Sequence, residues 1–213
     1  MKILILGAAG QIGKILTADL LGQTNHHLVL YARNANKRLK AEDPSRVTII
    51  EGTFTDENSL SNAIEGVDVV YLNDMNDKKG IETITSSMKK QGVKRIIVAS
   101  ILGIYNEVPG AFGKWNERMV GAEGIRKHAA NASLIENDQF DYTVLRLTWL
   151  YNQKSNRKYM ITQKGEPFLG AQVTREAVSQ LIVDIIEEPG AGYIKTSLGV
   201  SEPGTNWDKP SFY

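Results

Sequence analysis

The chain has 213 residues, of which 42% are hydrophobic and 23% charged, which is ordinary for one soluble folded domain. Its 25 basic and 24 acidic side chains leave a formal net charge of +1, so no overall field attracts nucleic acid or an anionic membrane, and neither is expected as a partner. Cysteine is absent, which excludes disulfides, thiolate nucleophiles and cysteine-bound metal clusters. No apolar run approaches the roughly 20 residues of a membrane helix, and the run before Gly7 is too short for a secretory signal. We therefore expect a cytoplasmic protein.

Short apolar runs alternate with amphipathic segments along the chain. The predicted strands are Ile3–Leu6, Leu28–Tyr31, Val47–Ile50, Val67–Leu72, Arg95–Ala99 and Tyr142–Leu147. The predicted helices cover about 11–22, 34–41, 57–65, 79–91, 114–137 and 174–187. Strands that are apolar on both sides are typical of a parallel sheet covered by helices. The alternation predicts an α/β fold with a doubly wound parallel sheet in one domain, residues 1–213, to which residues from about 150 onward add a small cap on the substrate side.

Local signals set several boundaries of these elements. Asp56 is placed to cap the helix that follows it, and Gly92 to end the helix before it. The tail after Val200 contains Trp207, Phe212 and Tyr213. Because three solvated aromatic side chains would be unfavourable, we expect this tail to dock on the body or on a partner subunit.

The strongest functional signal is the segment Gly7-Ala8-Ala9-Gly10-Gln11-Ile12-Gly13, which follows a strand and opens a helix. In such a loop the first glycine allows a tight turn, the second lets the backbone approach a pyrophosphate, and the third lets the helix pack closely. The free amides and the dipole of the helix then favour the phosphate charge. The predicted cofactor-binding residues here are Gly7, Ala9, Gly10, Gln11, Ile12 and Gly13. The alternative is a glycine-rich turn that binds a different phosphate ligand.

The end of the second strand indicates which dinucleotide is bound. Sites that prefer NAD place an acid there for the ribose 2′-hydroxyl, whereas this chain has Arg33 and no acid before Glu42. A guanidinium binds a 2′-phosphate well. We therefore expect NADP (NADPH) as the cofactor, with NAD the alternative, and Lys37 or Arg38 adding charge. Arg33 has the alternative roles of stacking on adenine or of lying in solvent.

The chain resembles the extended and atypical short-chain dehydrogenases, a group that includes NAD-dependent epimerase/dehydratase, NmrA-like and biliverdin reductase B-like proteins. The spacing Gly-x-x-Gly-x-x-Gly at Gly7–Gly13 carries the resemblance, which spans about residues 1–187. Further similar segments are Glu51–Asp56, Gly66–Val70, Leu145–Leu150 and Val173–Val178. The resemblance implies a Rossmann fold and an NAD(P)H-dependent oxidoreductase. It also implies that Thr53 borders the adenine, that Asn73 approaches the nicotinamide ribose, and that Ser100 stands where the family keeps a catalytic Ser or Thr.

The departures from the family limit the chemistry. The family's catalytic Tyr-x-x-x-Lys belongs in the helix at 114–137, which contains no tyrosine, and Thr148 stands in place of the usual proline. Without that tyrosine, reduction of an ordinary ketone lacks its proton donor. Flavins and quinones spread the incoming charge over their rings and need less help. We therefore expect hydride transfer from NADPH to such a conjugated acceptor, a small-molecule substrate.

A few side chains are candidates to assist that reaction. Ser100 and Tyr105 are the catalytic candidates. Alternatively, the Ser100 hydroxyl belongs to a turn at the end of the strand, and the Tyr105 ring packs on the core. Lys114 and Tyr151 are the substrate-binding candidates. The alternative for Lys114 is a surface charge, and the alternative for Tyr151 is a packing role. His128 stands alone in its helix and is interpreted as non-catalytic.

Several alternatives concern metals, assembly and function. The segment Asn73–Asp77 lacks the later ligands of a calcium loop, so no metal is expected. Members of the family often pair through the helix at 114–137, which makes a homodimer an open alternative. The rival function is an NmrA-like regulator that senses NADP without turnover, which the missing tyrosine supports equally. An epimerase or dehydratase is disfavoured, because only about 65 residues follow the sixth strand, few for a nucleotide-sugar domain.

Overall fold

Ten strands and seven helices alternate along residues 1–213, all of which the computed structural model of the protein describes. The strands are β1 Lys2–Leu6, β2 His27–Ala32, β3 Val47–Glu51, β4 Val69–Leu72, β5 Arg95–Ile101, β6 Asp141–Leu147, β7 Trp149–Tyr151, β8 Met160–Thr162, β9 Gln172–Thr174 and β10 Thr196–Ser201. The helices are α1 Gln11–Gln23, α2 Ala35–Arg38, α3 Glu57–Ile64, α4 Lys78–Gln91, α5 Gly110–Val120, α6 Ala122–Ser133 and α7 Arg175–Glu187. None of the helices has the length and apolar character needed to cross a membrane.

Eight of the strands form one sheet in the order β3-β2-β1-β4-β5-β6-β10-β8. All neighbouring pairs are parallel except β10 and β8, which are antiparallel. The predicted doubly wound sheet is therefore confirmed. From β1 the chain adds β2 and β3 towards one edge of the sheet, and it then crosses back to place β4 on the other side of β1. This reversal opens a crevice at the carboxyl ends of β1 and β4, where ligands bind in such sheets.

Alternate side chains of each central strand fill two separate cores. Ile3 and Ile5 of β1 pack in one core with α1 and α7, and Leu4 and Leu6 pack in the other with α3 and α4. All four side chains are fully buried. Because successive strand residues point to opposite faces, this explains why the strands are continuously apolar in sequence.

The helix boundaries agree closely with their sequence signals. The Asp56 carboxylate accepts a hydrogen bond from the Ser59 amide at 3.0 Å and caps α3 as predicted. Gly92 ends α4 in the left-handed conformation, with φ of +71°. The Thr174 hydroxyl accepts from the Ala177 amide at 3.0 Å and caps α7.

The prediction of one helix over 114–137 is wrong. Two helices, α5 and α6, occupy this region, and Gly121 separates them with φ of +81°. A residue with a side chain rarely adopts that backbone conformation, so the glycine permits the break. The break gives α6 a direction of its own, which affects the site described below.

Residues beyond 150 do more than form a small cap. Strand β10 joins the main sheet beside β6, and α7 packs against α1 under the same face. Only β7 and β9 form a separate two-stranded sheet. The tail docks on the body as expected at two of its aromatics: the Tyr213 ring lies 5.2 Å from that of Trp115, and the Phe212 ring 5.8 Å from that of Tyr151. Trp207 remains 44% exposed.

Candidate active site

The glycine loop joins β1 to α1 at the point where the strand order reverses. Gly7 adopts φ of +86°, and the Gly10 amide donates to the Gly7 carbonyl at 2.9 Å, which closes a tight turn. The first bond of the α1 ladder runs from the Lys14 amide to the Gly10 carbonyl at 3.0 Å. The amides before it have no acceptor within the helix and are those of Gln11, Ile12 and Gly13. No side chain caps this end of the helix, so the amides are available to an anion.

The other two glycines have neighbours close to where a Cβ atom would lie. A Cβ atom on Gly13 would lie 2.7 Å from the Gly7 carbonyl oxygen and 2.8 Å from Ala8 Cα. Real Cβ atoms essentially never come that close to other heavy atoms, and backbone has little freedom to retreat. A Cβ atom on Gly10 would lie 2.7 Å from Asn73 Nδ2. Gly13 is therefore required by its close approach to backbone, whereas Gly10 faces a side-chain amide that can move.

Asn73 lies across the glycine loop from the end of β4. Its backbone N–H donates to the Leu6 carbonyl at 3.0 Å, which extends the pairing of β4 with β1. The buried Tyr71 hydroxyl donates to Asn73 Oδ1 at 2.9 Å. This bond leaves the Asn73 amide nitrogen facing Gly10, beside the space that a pyrophosphate or ribose would occupy.

Two arginines stand at the adenosine end of the loop. Arg33 is exposed and directly follows β2. Arg38 donates through Nη2 to the Ala9 carbonyl at 3.2 Å and through Nη1 to the Arg33 carbonyl at 3.4 Å. Thr53 is exposed just after β3, and its carbonyl accepts from the Tyr31 hydroxyl at 2.7 Å. The Arg38 guanidinium therefore lies against the glycine loop, and the backbone of the exposed Arg33 is next to it.

A crevice of about 330 Å³ lies at the carboxyl ends of β1, β4, β5 and β6. It brings together the predicted residues Gln11, Ile12, Asn73 and Ser100. It also contains five polar residues that the sequence analysis did not assign to the site, namely Asp74, Asn76, His128, Thr148 and Arg175. The space continues directly from the start of α1, so a dinucleotide on the glycine loop would extend its reactive end into this crevice.

Three polar atoms in the crevice are buried without a hydrogen-bond partner: Ser100 Oγ, His128 Nδ1 and Thr148 Oγ1. Leaving such an atom unpaired costs free energy, and folded proteins pair nearly all of them. All three atoms belong to residues that line the crevice, so its wall contains hydroxyl and imidazole groups that have no partner within the protein.

Tyr105 does not reach this crevice. Its hydroxyl donates to Glu136 Oε1 and accepts from the Ser197 hydroxyl at 3.0 Å, and its ring packs beneath the Arg146 guanidinium. Burial and Glu136 both raise the pKa of the Tyr105 phenol, so it gives up its proton less readily. The prediction that Tyr105 assists catalysis does not match its position, because the loop after β5 turns the side chain down against the sheet.

The two substrate-binding candidates also lie outside the crevice. The Tyr151 hydroxyl donates to Glu202 Oε2 at 2.6 Å, and burial together with this carboxylate raises its pKa to about 12. Its neighbour Leu150 lines the crevice instead, because alternate residues of β7 face opposite sides. Lys114 lines a separate cavity of about 500 Å³ between α5 and α6. The structure therefore assigns neither residue to the nicotinamide end.

The sequence analysis interpreted His128 as non-catalytic and did not predict that it lines the crevice, where the structure places it on α6. A usable signal was its spacing to Asn131, since residues three apart share a helix face. The Asn131 amide donates to the Met75 carbonyl at 2.7 Å and holds this face of α6 against the loop after β4. Arg175 follows the β9 strand and has no carboxylate within ion-pair distance.

Comparison with known proteins agrees with this geometry. Residues 7–189 match a family model described as NAD(P)H-binding. The chain belongs to this NAD(P)H-binding family. A wide-type short-chain dehydrogenase/reductase from Veillonella parvula, whose structure holds NADP, is 37% identical with a TM-score of 0.95, covering 99% of each chain.

Two other relatives extend the comparison. A Rossmann-fold NAD(P)-binding protein from Shigella flexneri is 31% identical, with a TM-score of 0.81 over 100% of this chain and 98% of the other. A probable pinoresinol-lariciresinol reductase 3 from Arabidopsis thaliana is 26% identical over 169 residues, which are 78% of this chain. The match spans only 45% of the plant protein. These similarities support an NAD(P)H-binding oxidoreductase of the short-chain dehydrogenase type.

Proposed function

We propose that the protein is a reductase that transfers a hydride from NADPH to a conjugated acceptor such as a flavin or a quinone. The observation that carries the proposal is the crevice beyond the glycine loop. It has three unpartnered buried polar atoms on its wall, and no tyrosine among the residues that line it. The site thus suits a dinucleotide and an acceptor, but not the tyrosine-assisted reduction of a plain ketone.

The preference for NADPH rests on the charges near the adenosine. The Arg38 guanidinium lies against the glycine loop, and the exposed Arg33 directly follows β2 beside it. These two side chains are our candidates to bind a 2′-phosphate. Glu51 is the competing observation, because it ends β3 in register with Ala32. Its carboxylate accepts from the Asn36 amide at 3.4 Å, at the start of α2. Two cations against one acid favour the phosphorylated cofactor, as does the NADP held by the Veillonella relative.

The preference for a conjugated acceptor rests on the weak acids available. When bound, the nicotinamide supplies the hydride. Ser100 and Thr148 offer hydroxyl donors to an acceptor oxygen or to the carboxamide, and Asn73 offers its amide to the ribose. Arg175 adds a cation at the crevice wall, where partial burial lowers its pKa without neutralising it. An acceptor that delocalises the added charge needs only such hydrogen bonds and a fixed orientation.

The experiment combines binding and turnover on the purified full chain. Calorimetry with NADPH, NADH and their oxidised forms measures affinity. Consumption of NADPH, followed by its absorbance, is then measured with riboflavin, FMN and a soluble naphthoquinone. We expect tighter binding of NADPH than of NADH and steady turnover with at least one acceptor. Tight binding without turnover on any acceptor would contradict the reductase and favour the sensing regulator.

A further inference from the structure

We infer that His128 donates the proton that the reduced conjugated acceptor takes up in this site. The inference rests on the proposed function and assigns the protonation step of that reaction. It starts from the place of the imidazole in the fold. His128 is on α6, the helix after Ser100 that carries the tyrosine in the resembling family, and it lines the same crevice as Ser100 and Thr148.

Two features of α6 bear on the position of His128. The break at Gly121 separates α6 from α5. Asn131, three residues further along, donates to the Met75 carbonyl at 2.7 Å and is itself buried. Since these two residues share a helix face, the bond that anchors Asn131 also turns His128 toward the crevice.

The imidazole also has an unused atom in the right place. Its Nδ1 is buried and has no partner in the protein. A histidine kept for packing alone would pair that nitrogen, because an unpaired buried polar atom is costly. An acceptor lying between Ser100 and His128 would provide the partner.

The charges around His128 set the pH range in which it works. Burial lowers its pKa below the ordinary value of 6.5, and the Lys127 ammonium beside it acts in the same direction. The Asp74 carboxylate, which also lines the crevice, raises the pKa. Arg175 is the other charged residue that lines the crevice. The protonated donor therefore becomes more abundant as the pH falls.

The step balances with NADPH as reductant and the conjugated acceptor as oxidant. The hydride carries two electrons to the acceptor and leaves NADP⁺, while the acceptor gains a negative charge. The imidazolium N–H bond breaks, and its proton passes from Nδ1 to the charged acceptor atom. The neutral imidazole then takes a proton from solvent.

The test compares His128→Asn with His27→Asn in full-length protein. Asparagine keeps an amide donor near the position of Nδ1 but does not titrate, and His27 is exposed at the opposite end of the sheet. We expect the wild-type kcat with a quinone to rise as the pH falls through the His128 pKa. His128→Asn loses this rise and at about pH 6 is slower by about tenfold or more. Its Kd for NADPH and its KM for the quinone change little, and His27→Asn behaves as wild type.

A second variant gives a readout that a structural role would not move. Asp74→Asn removes the carboxylate that favours the imidazolium, so the His128 titration followed by NMR shifts to lower pH, and the kinetic rise shifts with it. A His128→Asn enzyme with the wild-type rate and pH profile would overturn the inference and leave the reductase standing. So would an NMR shift in Asp74→Asn with an unmoved kinetic profile. A wild-type chain that reduces no acceptor would overturn both proposals.

Discussion

The Tyr71 hydroxyl donates to Asn73 Oδ1 over 2.9 Å, and this one bond sets the direction of an amide that faces the glycine loop. Tyr71 is fully buried in the core between the sheet and α1. A core side chain therefore positions a residue of the cofactor crevice. The arrangement couples the packing of β4 to the binding of the dinucleotide.

Replacing Tyr71 with phenylalanine tests this coupling. The change keeps the ring and leaves Asn73 Oδ1 without its donor, so the amide loses its fixed direction. We expect NADPH affinity to fall by about fivefold, equivalent to about 1 kcal/mol, measured by calorimetry. Tyr142→Phe is the matched control, since Tyr142 begins β6 at the other end of the sheet. Unchanged affinity in Tyr71→Phe would show that Asn73 does not depend on this bond.

Two glycines in α1 provide a matched pair for the loop. A Cβ atom on Gly13 would lie 2.7 Å from the Gly7 carbonyl oxygen, whereas a Cβ atom on Gly22 would have nothing within 4 Å. Gly13→Ala is expected to destabilise the fold by about 1–3 kcal/mol through overpacking and to weaken cofactor binding. Gly22→Ala is expected to stabilise it by about 0.5–1 kcal/mol, because alanine favours the helix. Urea unfolding measures both changes, and equal stabilities would refute the close approach at Gly13.

The elements that depend on neighbouring residues could be predicted from the sequence, whereas those that depend on contacts between distant segments could not. The first six strands and the glycine loop follow from local apolar runs and turn residues. Strand β10 was missed because Thr196–Ser201 contains polar residues and a glycine, and only its place beside β6 buries it. The roles expected of Tyr105 and Tyr151 depended on which way a loop and a short strand turn, which no local pattern fixes. The sequence analysis also did not predict the break between α5 and α6, because it depends on one positive φ at Gly121.

Arg33→Asp tests the identity of the cofactor. The change replaces a cation that would pair with the 2′-phosphate by a carboxylate that would repel it and accept from a ribose hydroxyl. We expect NADPH affinity to fall by at least about tenfold, or about 1.4 kcal/mol, with a smaller change for NADH. Arg118→Asp, an exposed site on α5, makes the same change of charge away from the loop. Equal losses for the two cofactors in Arg33→Asp would exclude the phosphate role.

A buried ion pair holds the loop that follows β5. Arg146 Nη1 donates to Glu107 Oε1 at 2.8 Å, and the two side chains are only 0% and 4% exposed. The same carboxylate accepts from the amides of Gly103 and Tyr105 at 3.0 and 2.9 Å. The pair therefore closes the loop just after Ser100, although neither residue touches the crevice.

Removing one member of this pair leaves the other charge buried without a partner. We expect Arg146→Met to lower the free energy of unfolding by about 3–5 kcal/mol. The double variant with Glu107→Gln should lose less than the sum of the two single changes, because no unpaired charge remains. Asp138→Asn, in the exposed pair with Lys195, should change stability little. Urea unfolding of the wild type, the two single variants and the double variant measures the coupling between Arg146 and Glu107. Additive losses would mean that Glu107 and Arg146 stabilise the loop independently, each through its own bonds to backbone.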